Sequence, residues 1–389
     1  MNELEAQVNR SGSLGSFGLA AIAAFALTVN AHVESFHAAR LGVVLAGVLL
    51  LHLIRFPRVA FVRETLIYSS FLAYMLLELL WTADLLLAMN TLVPAANFAI
   101  LLILFGSLVA FHDLKAVLAG TVCGFLFGAA IYTSVAGFPF RYPAEFSYNA
   151  IAGMYLFGLI ATLLLASFGR WKRLLLVVAA LIAVHIVGTT SIKTNLGILL
   201  GATAAAVIHF SYVSRMLWRN ALVVLAIAGI LAFAVASNEA AVETIRRGTD
   251  RVVLGMRILQ SREDVPGYSS FERRAGWQRQ GLKEWSGNPV FGHGVEAFRS
   301  RFGLTSHASH VDILYNSGLI GLALFYGAFA SMMWRLYSAR KGDFRNARLI
   351  ILGALVCYLF ISFAGTIHYS AFLAAFFALG IGILKRADR

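Results

Sequence analysis

Residues 94–136 read PAANFAILLILFGSLVAFHDLKAVLAGTVCGFLFGAAIYTSVA, two apolar runs of 18 and 22 residues parted only by His112, Asp113 and Leu114. A helix rises about 1.5 Å per residue, so each run has the length that crosses a hydrocarbon core of about 30 Å. A connection this short sends the chain straight back through the same layer. The rest of the sequence repeats the pattern. Of 389 residues, 59% are hydrophobic and 13% charged, with a mean hydropathy of +0.77. Soluble domains hold about 45–50% apolar and about 25% charged residues, so this composition belongs to a lipid environment.

Twelve spans are expected, at 14–33, 40–54, 64–81, 94–111, 115–136, 149–168, 173–189, 195–213, 220–237, 311–334, 349–364 and 367–385. The fold class is therefore an all-α polytopic membrane protein of about 12 transmembrane helices. Residues 82–93 (TADLLLAMNTLV) read as an additional interfacial helix. The polar N-terminus MNELEAQVNRSGSLGS lacks the layout of a cleavable signal, so the first apolar run is expected to be retained. Cys123 and Cys357 both lie in apolar runs and offer neither a disulfide framework nor a thiolate metal site.

Lysine and arginine set the orientation, because positively charged short loops stay cytoplasmic. With a cytoplasmic N-terminus, the inner set holds Arg55, Arg58 and Arg63; Arg170, Lys172 and Arg173; Arg215 and Arg219; and the 335–348 and 385–389 clusters. The opposite short loops hold only Arg40, Arg141 and Lys193. Shifting the parity by one span breaks the rule, so both termini are expected in the cytoplasm. The chain then divides into a nine-helix region over 1–237, one long outer loop over 238–310, and three C-terminal spans over 311–389. That loop carries eleven basic and eight acidic residues. The excess suits an anionic ligand as well as it suits a solvated surface, and nucleic acid is not an expected partner on that face.

Within the loop, SSFERRAGWQRQGLKEWSGNP has a capping box at Ser269 and Glu272 and stop signals at Gly287 and Pro289. Arg273, Trp277 and Gln280 are expected on one face of this helix, with Phe271, Leu282 and Trp285 turned inward. In the next turn, NPVFGHGVEAF, Gly292 and Gly294 let backbone approach a partner closely. The earlier stretch 240–259 has helical spacing suited to a membrane surface.

Three groups of ionisable residues face the outer side: Lys193 in TTSIKTNLG, Arg273 with Arg274, and His307 with His310 just ahead of the tenth span. Taken singly, each fits a snorkelling, solvated or capping side chain. Together, cations at headgroup depth bind a lipid diphosphate and stabilise its departure, and a histidine takes a proton from an attacking hydroxyl. Metal binding would need Asp312 or His293 beside the two histidines, and no metalloprotease-like spacing supports it, so no metal or cofactor is expected.

RAGWQRQGLKEWSGNPVFGHGVEAF followed by HASHVDILYNSGLIGLALF resembles the O-antigen ligase and polymerase superfamily. The similarity lies in Arg273 four residues before Trp277, in Asn288-Pro289 with Gly292 and Gly294, and in His307 eleven residues before Gly318-Leu319-Ile320-Gly321. TSIKTNLG resembles a further family motif with Lys193 where an arginine is common. Lysine lacks the bidentate fork. The resemblance covers roughly 186–330. It implies an inverting, metal-independent glycosyltransferase of the bacterial inner membrane with its site facing the periplasm. Such an enzyme takes a glycan from undecaprenyl diphosphate and passes it to lipid A core, as a ligase, or to a growing polysaccharide, as a polymerase. Carried over by position, His307 is the general base and Arg273 the diphosphate clamp, with Arg274 and Lys193 beside it. His310, Asp312, Trp277 and His293 are candidate acceptor or orienting contacts. A transporter or flippase of lipid-linked saccharide shares the architecture, but such proteins gather polar sites near the midplane on broken helices.

Overall fold

The computed structural model describes residues 3–31, 38–136, 148–168, 171–189, 198, 201–202, 269–338, 344–363, 365–368 and 370–388, with backbone alone at 3–11, 135–136, 148–150, 184, 187–189 and 269–275. Every regular element among them is a helix: α1 Glu3–Asn30, α2 Ala38–Arg55, α3 Arg63–Glu78, α4 Leu85–Phe111, α5 Leu114–Ala136, α6 Tyr148–Phe168 and α7 Lys172–Thr189. They are followed by α8 Ser269–Trp285, α9 Ala297–Phe302, α10 Ser309–Ser338, α11 Arg345–Ser362 and α12 Ala371–Ala387. Seven are long and apolar enough to cross a membrane: α1 from Gly12, α2, α4, α5 to Ser134, α6 from Ile151, α10 and α11. The chain is a multi-pass membrane protein. Two expected spans are shorter than that, α3 at 16 residues and α12 at 17. The expected spans 195–213 and 220–237, Lys193 and the stretch 240–259 lie largely or wholly outside the described residues.

The interfacial helix expected at 82–93 is instead the opening of α4. The Asp84 side chain caps it by accepting the Leu87 N–H at 2.9 Å, and the helix runs unbroken to Phe111 with Pro94 inside. Pro94 has no N–H, so the Asn90 carbonyl loses its helical donor. The sequence breaker thus marks a site of freed backbone polarity.

Helix packing follows membrane rules, in which small residues admit close backbone approach. On α5, Gly120, Gly124 and Gly128 face α1. A Cβ at Gly120 would stand 2.2 Å from the Phe17 carbonyl oxygen, and one at Gly124 the same distance from that of Ala21. On α2, Val43, Leu50 and Ile54 form an outward stripe with exposures of 74%, 60% and 70%. Such a stripe is unfavourable in water and carries no penalty against hydrocarbon.

The connections sort to two ends of the bundle. At one end, Glu64 is fully buried and accepts from Arg335 at 2.8 Å and Ser331 at 2.8 Å, while Arg335 also reaches Asp388 at 2.9 Å. At the same end His112 bridges Ser16, 2.7 Å from its Nδ1, and His52, 3.0 Å from its Nε2. Arg386 donates to the carbonyls of Val109 and His112.

Burial, with lesser contributions from the neighbouring His52 ring and the Arg386 guanidinium, pushes His112 down to about 4. Above the unfolded histidine value of about 6.5, both states are neutral here and the full stability is present. Between 6.5 and about 4 the unfolded chain binds a proton that the folded chain refuses, so stability falls as pH drops through that window. The melting temperature of detergent-solubilised protein should therefore decline from pH 6.5 to 4, and His112→Asn should flatten that decline.

Candidate functional site

At the other end of the bundle, α10 is interrupted. Gly318 has φ 63° and ψ −161°, a backbone conformation no helix contains. The break frees N–H and C=O groups in an apolar setting, where each must find a partner. The turn after α8 supplies them. His293 and Gly294 donate to the carbonyls of Tyr315 (3.0 Å) and Asn316 (2.8 Å), and the N–H groups of Leu319 and Ile320 reach the carbonyls of Pro289 (2.9 Å) and Val290 (3.3 Å). Contact this close requires glycine on both sides. A Cβ on Gly292 would stand 2.2 Å from the Asn316 carbonyl oxygen, and one on Gly318 would stand 2.3 Å from that of Val290. The N-terminal half holds the turn from behind, through Tyr74 to the Phe291 carbonyl (3.1 Å) and Thr82 to that of Val295 (2.7 Å). The partner foreseen for Gly292 and Gly294 is thus the chain's own broken helix.

α8 runs from Ser269 to Trp285, and Gly287 and Asn288 close it with N–H bonds to the carbonyls of Glu284 and Trp285. Of the three residues expected to turn inward, Trp285 does, Leu282 does not, and the Phe271 side chain lies outside the described residues. Trp277 and Trp285 pack on the cluster of Phe298, Ala308, Val311 and Tyr315, and Gly281 lies against the Phe298 ring. Leu282 is 41% exposed, because it sits about 100° around the helix from Gly281. Arg273 occupies the position one turn before Trp277, on the inward stripe; its side chain and that of Arg274 lie outside the described residues, as does all of Lys193.

His307 sits between α9 and α10 with φ 59°. Among the described residues, it and Glu296 are the two non-glycine residues with a left-handed backbone; Glu296 lines a cavity to which the His307 loop contributes Thr305. Such conformations cost about 1–3 kcal/mol and persist only where surroundings enforce them. At His307 the enforcement is visible on its neighbour. The Ser306 N–H donates to Asp312 Oδ1 (2.8 Å), its carbonyl accepts from Gln278 Nε2 (2.9 Å), and its hydroxyl bonds the backbone of Ala308. Asp312, 2% exposed, also accepts from Thr366 at 3.1 Å. The aspartate therefore positions the loop that carries His307. Two independent bonds hold that loop to α8 and α10.

Asp312→Ala should loosen it, leaving the Ser306 N–H and the Thr366 hydroxyl unpaired at a cost of about 1–3 kcal/mol for each buried group. Asp312→Asn keeps an oxygen for Ser306 and should restore most of the melting temperature, a contrast that thermal unfolding in detergent reads directly.

The cavity measures about 220 Å³. Asn90, Thr91 and Pro94 of α4 form one wall, and Glu296, Phe298 and Arg299 form another. Thr305, Asp312 and Asn316 come from the His307 loop and α10, and Thr366 and His368 from the α11–α12 connection. Burial pushes the Glu296 carboxyl up, against the opposing effects of the Thr91 hydroxyl and the Arg299 charge. Of the residues singled out from sequence, Asp312 lines this space; His307 is not among the lining residues, although Thr305 of its loop is. His293 belongs to a second, more open cavity of about 490 Å³ with Trp81, Asn288 and Phe291, where its ring lies 4.6 Å from that of Tyr315. His310 packs on Phe363, with ring centroids 5.3 Å apart. Among the described residues, no three His, Cys, Asp or Glu side chains are grouped to hold a metal ion.

Sequence reasoning missed Asn90, Thr91, Glu296, Asn316, Thr366 and His368 as a site. One signal was present: polar side chains inside apolar runs, with Asn90 four residues ahead of Pro94 and Asn316 one helical turn after Asp312. No family model and no curated protein matches the chain.

Proposed function

We propose that this protein is an inverting membrane glycosyltransferase that takes a glycan from a polyprenyl diphosphate and passes it to an acceptor sugar at the outer membrane surface. The O-antigen ligase reaction, with undecaprenyl diphosphate as carrier and lipid A core as acceptor, is the first reading. One observation carries the proposal. The two segments that resemble the ligase and polymerase superfamily are bonded backbone to backbone at Gly318, and the loop in which His307 has a left-handed backbone is tied through Ser306 to Asp312, which lines a polar cavity together with Thr305.

In the proposed step, His307 takes the proton from an acceptor hydroxyl as its oxygen attacks the anomeric carbon. The bond from that carbon to the diphosphate oxygen breaks on the opposite face, which inverts the centre. Arg273, Arg274 and Lys193 neutralise the charge that collects on the departing lipid diphosphate. That diphosphate remains in the outer leaflet of the bacterial inner membrane. The 33 residues between Arg273 and His307 make a short loop, which favours as second reading a polymerase that adds the same donor to a growing polysaccharide.

Purified protein in nanodiscs, supplied with undecaprenyl-diphosphate glycan and either lipid A core or a polysaccharide acceptor, should release undecaprenyl diphosphate in step with acceptor extension. No release with either acceptor would refute the transferase reading. Which acceptor works separates ligase from polymerase.

A further inference from the structure

The cavity lined by Thr305 and Asp312 is of the wrong sign for a diphosphate. Glu296 and Asp312 stand in its walls at 5% and 2% exposure, while its cation, Arg299, lies exposed at the rim. A phosphate placed there would meet buried carboxyl groups before any guanidinium. What the walls do offer is mixed hydrogen bonding. The Asn316 carboxamide gives its oxygen to the Phe298 N–H at 2.8 Å, a bond that leaves both amide N–H donors uncommitted. The two Asp312 oxygens accept from Ser306 and Thr366, and a carboxylate's roughly four acceptor positions leave room for a further donor. Asn90 and Thr91 add an amide and a hydroxyl, and Phe298 and Pro94 an apolar surface. Hydroxyls that donate and accept, set around a ring with apolar C–H faces, match this lining. The volume of about 220 Å³ equals roughly seven waters of the liquid, enough for one ring.

We propose that this cavity is a subsite for a single uncharged pyranose ring. Its assignment to the acceptor rests on the transferase reading, since the acceptor hydroxyl has to reach His307. The first sugar of the donor glycan presents the same chemistry, and kinetics distinguish the two sources.

The test uses the intact protein in nanodiscs with methyl glucoside, methyl N-acetylglucosaminide and inorganic diphosphate as probes, observed by saturation-transfer NMR. Asn90→Ala and Arg299→Ala alter exposed residues, so their melting temperatures should match wild type. Each should weaken glycoside binding about tenfold, the effect of one lost hydrogen bond, and raise the acceptor KM alike while the donor KM holds. Inorganic diphosphate should not displace the glycosides. Absent glycoside binding, affinity unchanged in both variants, or displacement by diphosphate would overturn the subsite. A rise in donor KM alone would overturn the acceptor assignment. Glycoside binding as expected with no transfer from any donor would sink the transferase reading and leave the subsite standing. Transfer with both the acceptor and the donor KM unchanged in both variants would do the reverse.

Discussion

His307→Asn should reduce glycan transfer by about 10²–10⁴-fold, the range a positioned general base contributes, with little change in the KM of donor or acceptor. Asparagine is the informative replacement because residue 307 has φ 59°. An alanine there adds a left-handed strain of about 1–2 kcal/mol, whereas asparagine adopts that conformation readily. Loop geometry is then preserved while the proton acceptor is gone. The bonds that fix the loop belong to Ser306 and Ala308, so neither the Asp312 contact nor the Gln278 contact depends on the imidazole. A variant with wild-type melting temperature and wild-type turnover would remove His307 from the mechanism. A variant that loses stability and turnover together would make it a structural residue.

How far the sequence disclosed this arrangement depends on the scale of the pattern. Hydrophobic length marked α4 and α5 because each span is read from its own residues. Reading Pro94 as a start rather than an interior residue misplaced 85–93. Inside an apolar bundle, neighbouring helices support a proline that would end a water-exposed helix. The glycines of NPVFGHG and GLIG announced close backbone approach, but not that the two stretches approach each other. Asp312 was legible as an ionisable residue at a helix mouth, yet its Thr366 partner is 54 residues away and becomes visible only when α11 and α12 turn back. The inward side of α8 was read correctly at Trp285 and misjudged at Leu282, for a related reason. Gly281 carries no hydrophobic signal, and the ring it accommodates belongs to Phe298.

The break in α10 bears on what class of membrane protein this is, and glycine substitutions test it. In transporters, interrupted helices leave backbone dipoles free to hold substrate or ions. Here four of the freed groups are taken by the 289–294 turn, so the interruption serves to seat that turn. Gly292 and Gly303 have nearly the same left-handed backbone, φ 74° and 79°, but a Cβ at Gly303 meets nothing within 4 Å while one at Gly292 falls 2.2 Å from the Asn316 oxygen. Gly303→Ala should therefore cost only the conformational strain of about 1–2 kcal/mol. Gly292→Ala bears the same strain and also pushes the turn off α10, losing four backbone bonds worth about 0.5–1.5 kcal/mol each. The sum is about 3–8 kcal/mol, a range most of which lies above the roughly 4 kcal/mol at which a single change is exceptional and threatens the fold of a marginally stable protein. Fluorescence-detected size exclusion after heating should show Gly303→Ala shifted by a few degrees and Gly292→Ala collapsed or poorly produced. Equal shifts for the two variants would mean that the turn does not depend on its seat at Gly318.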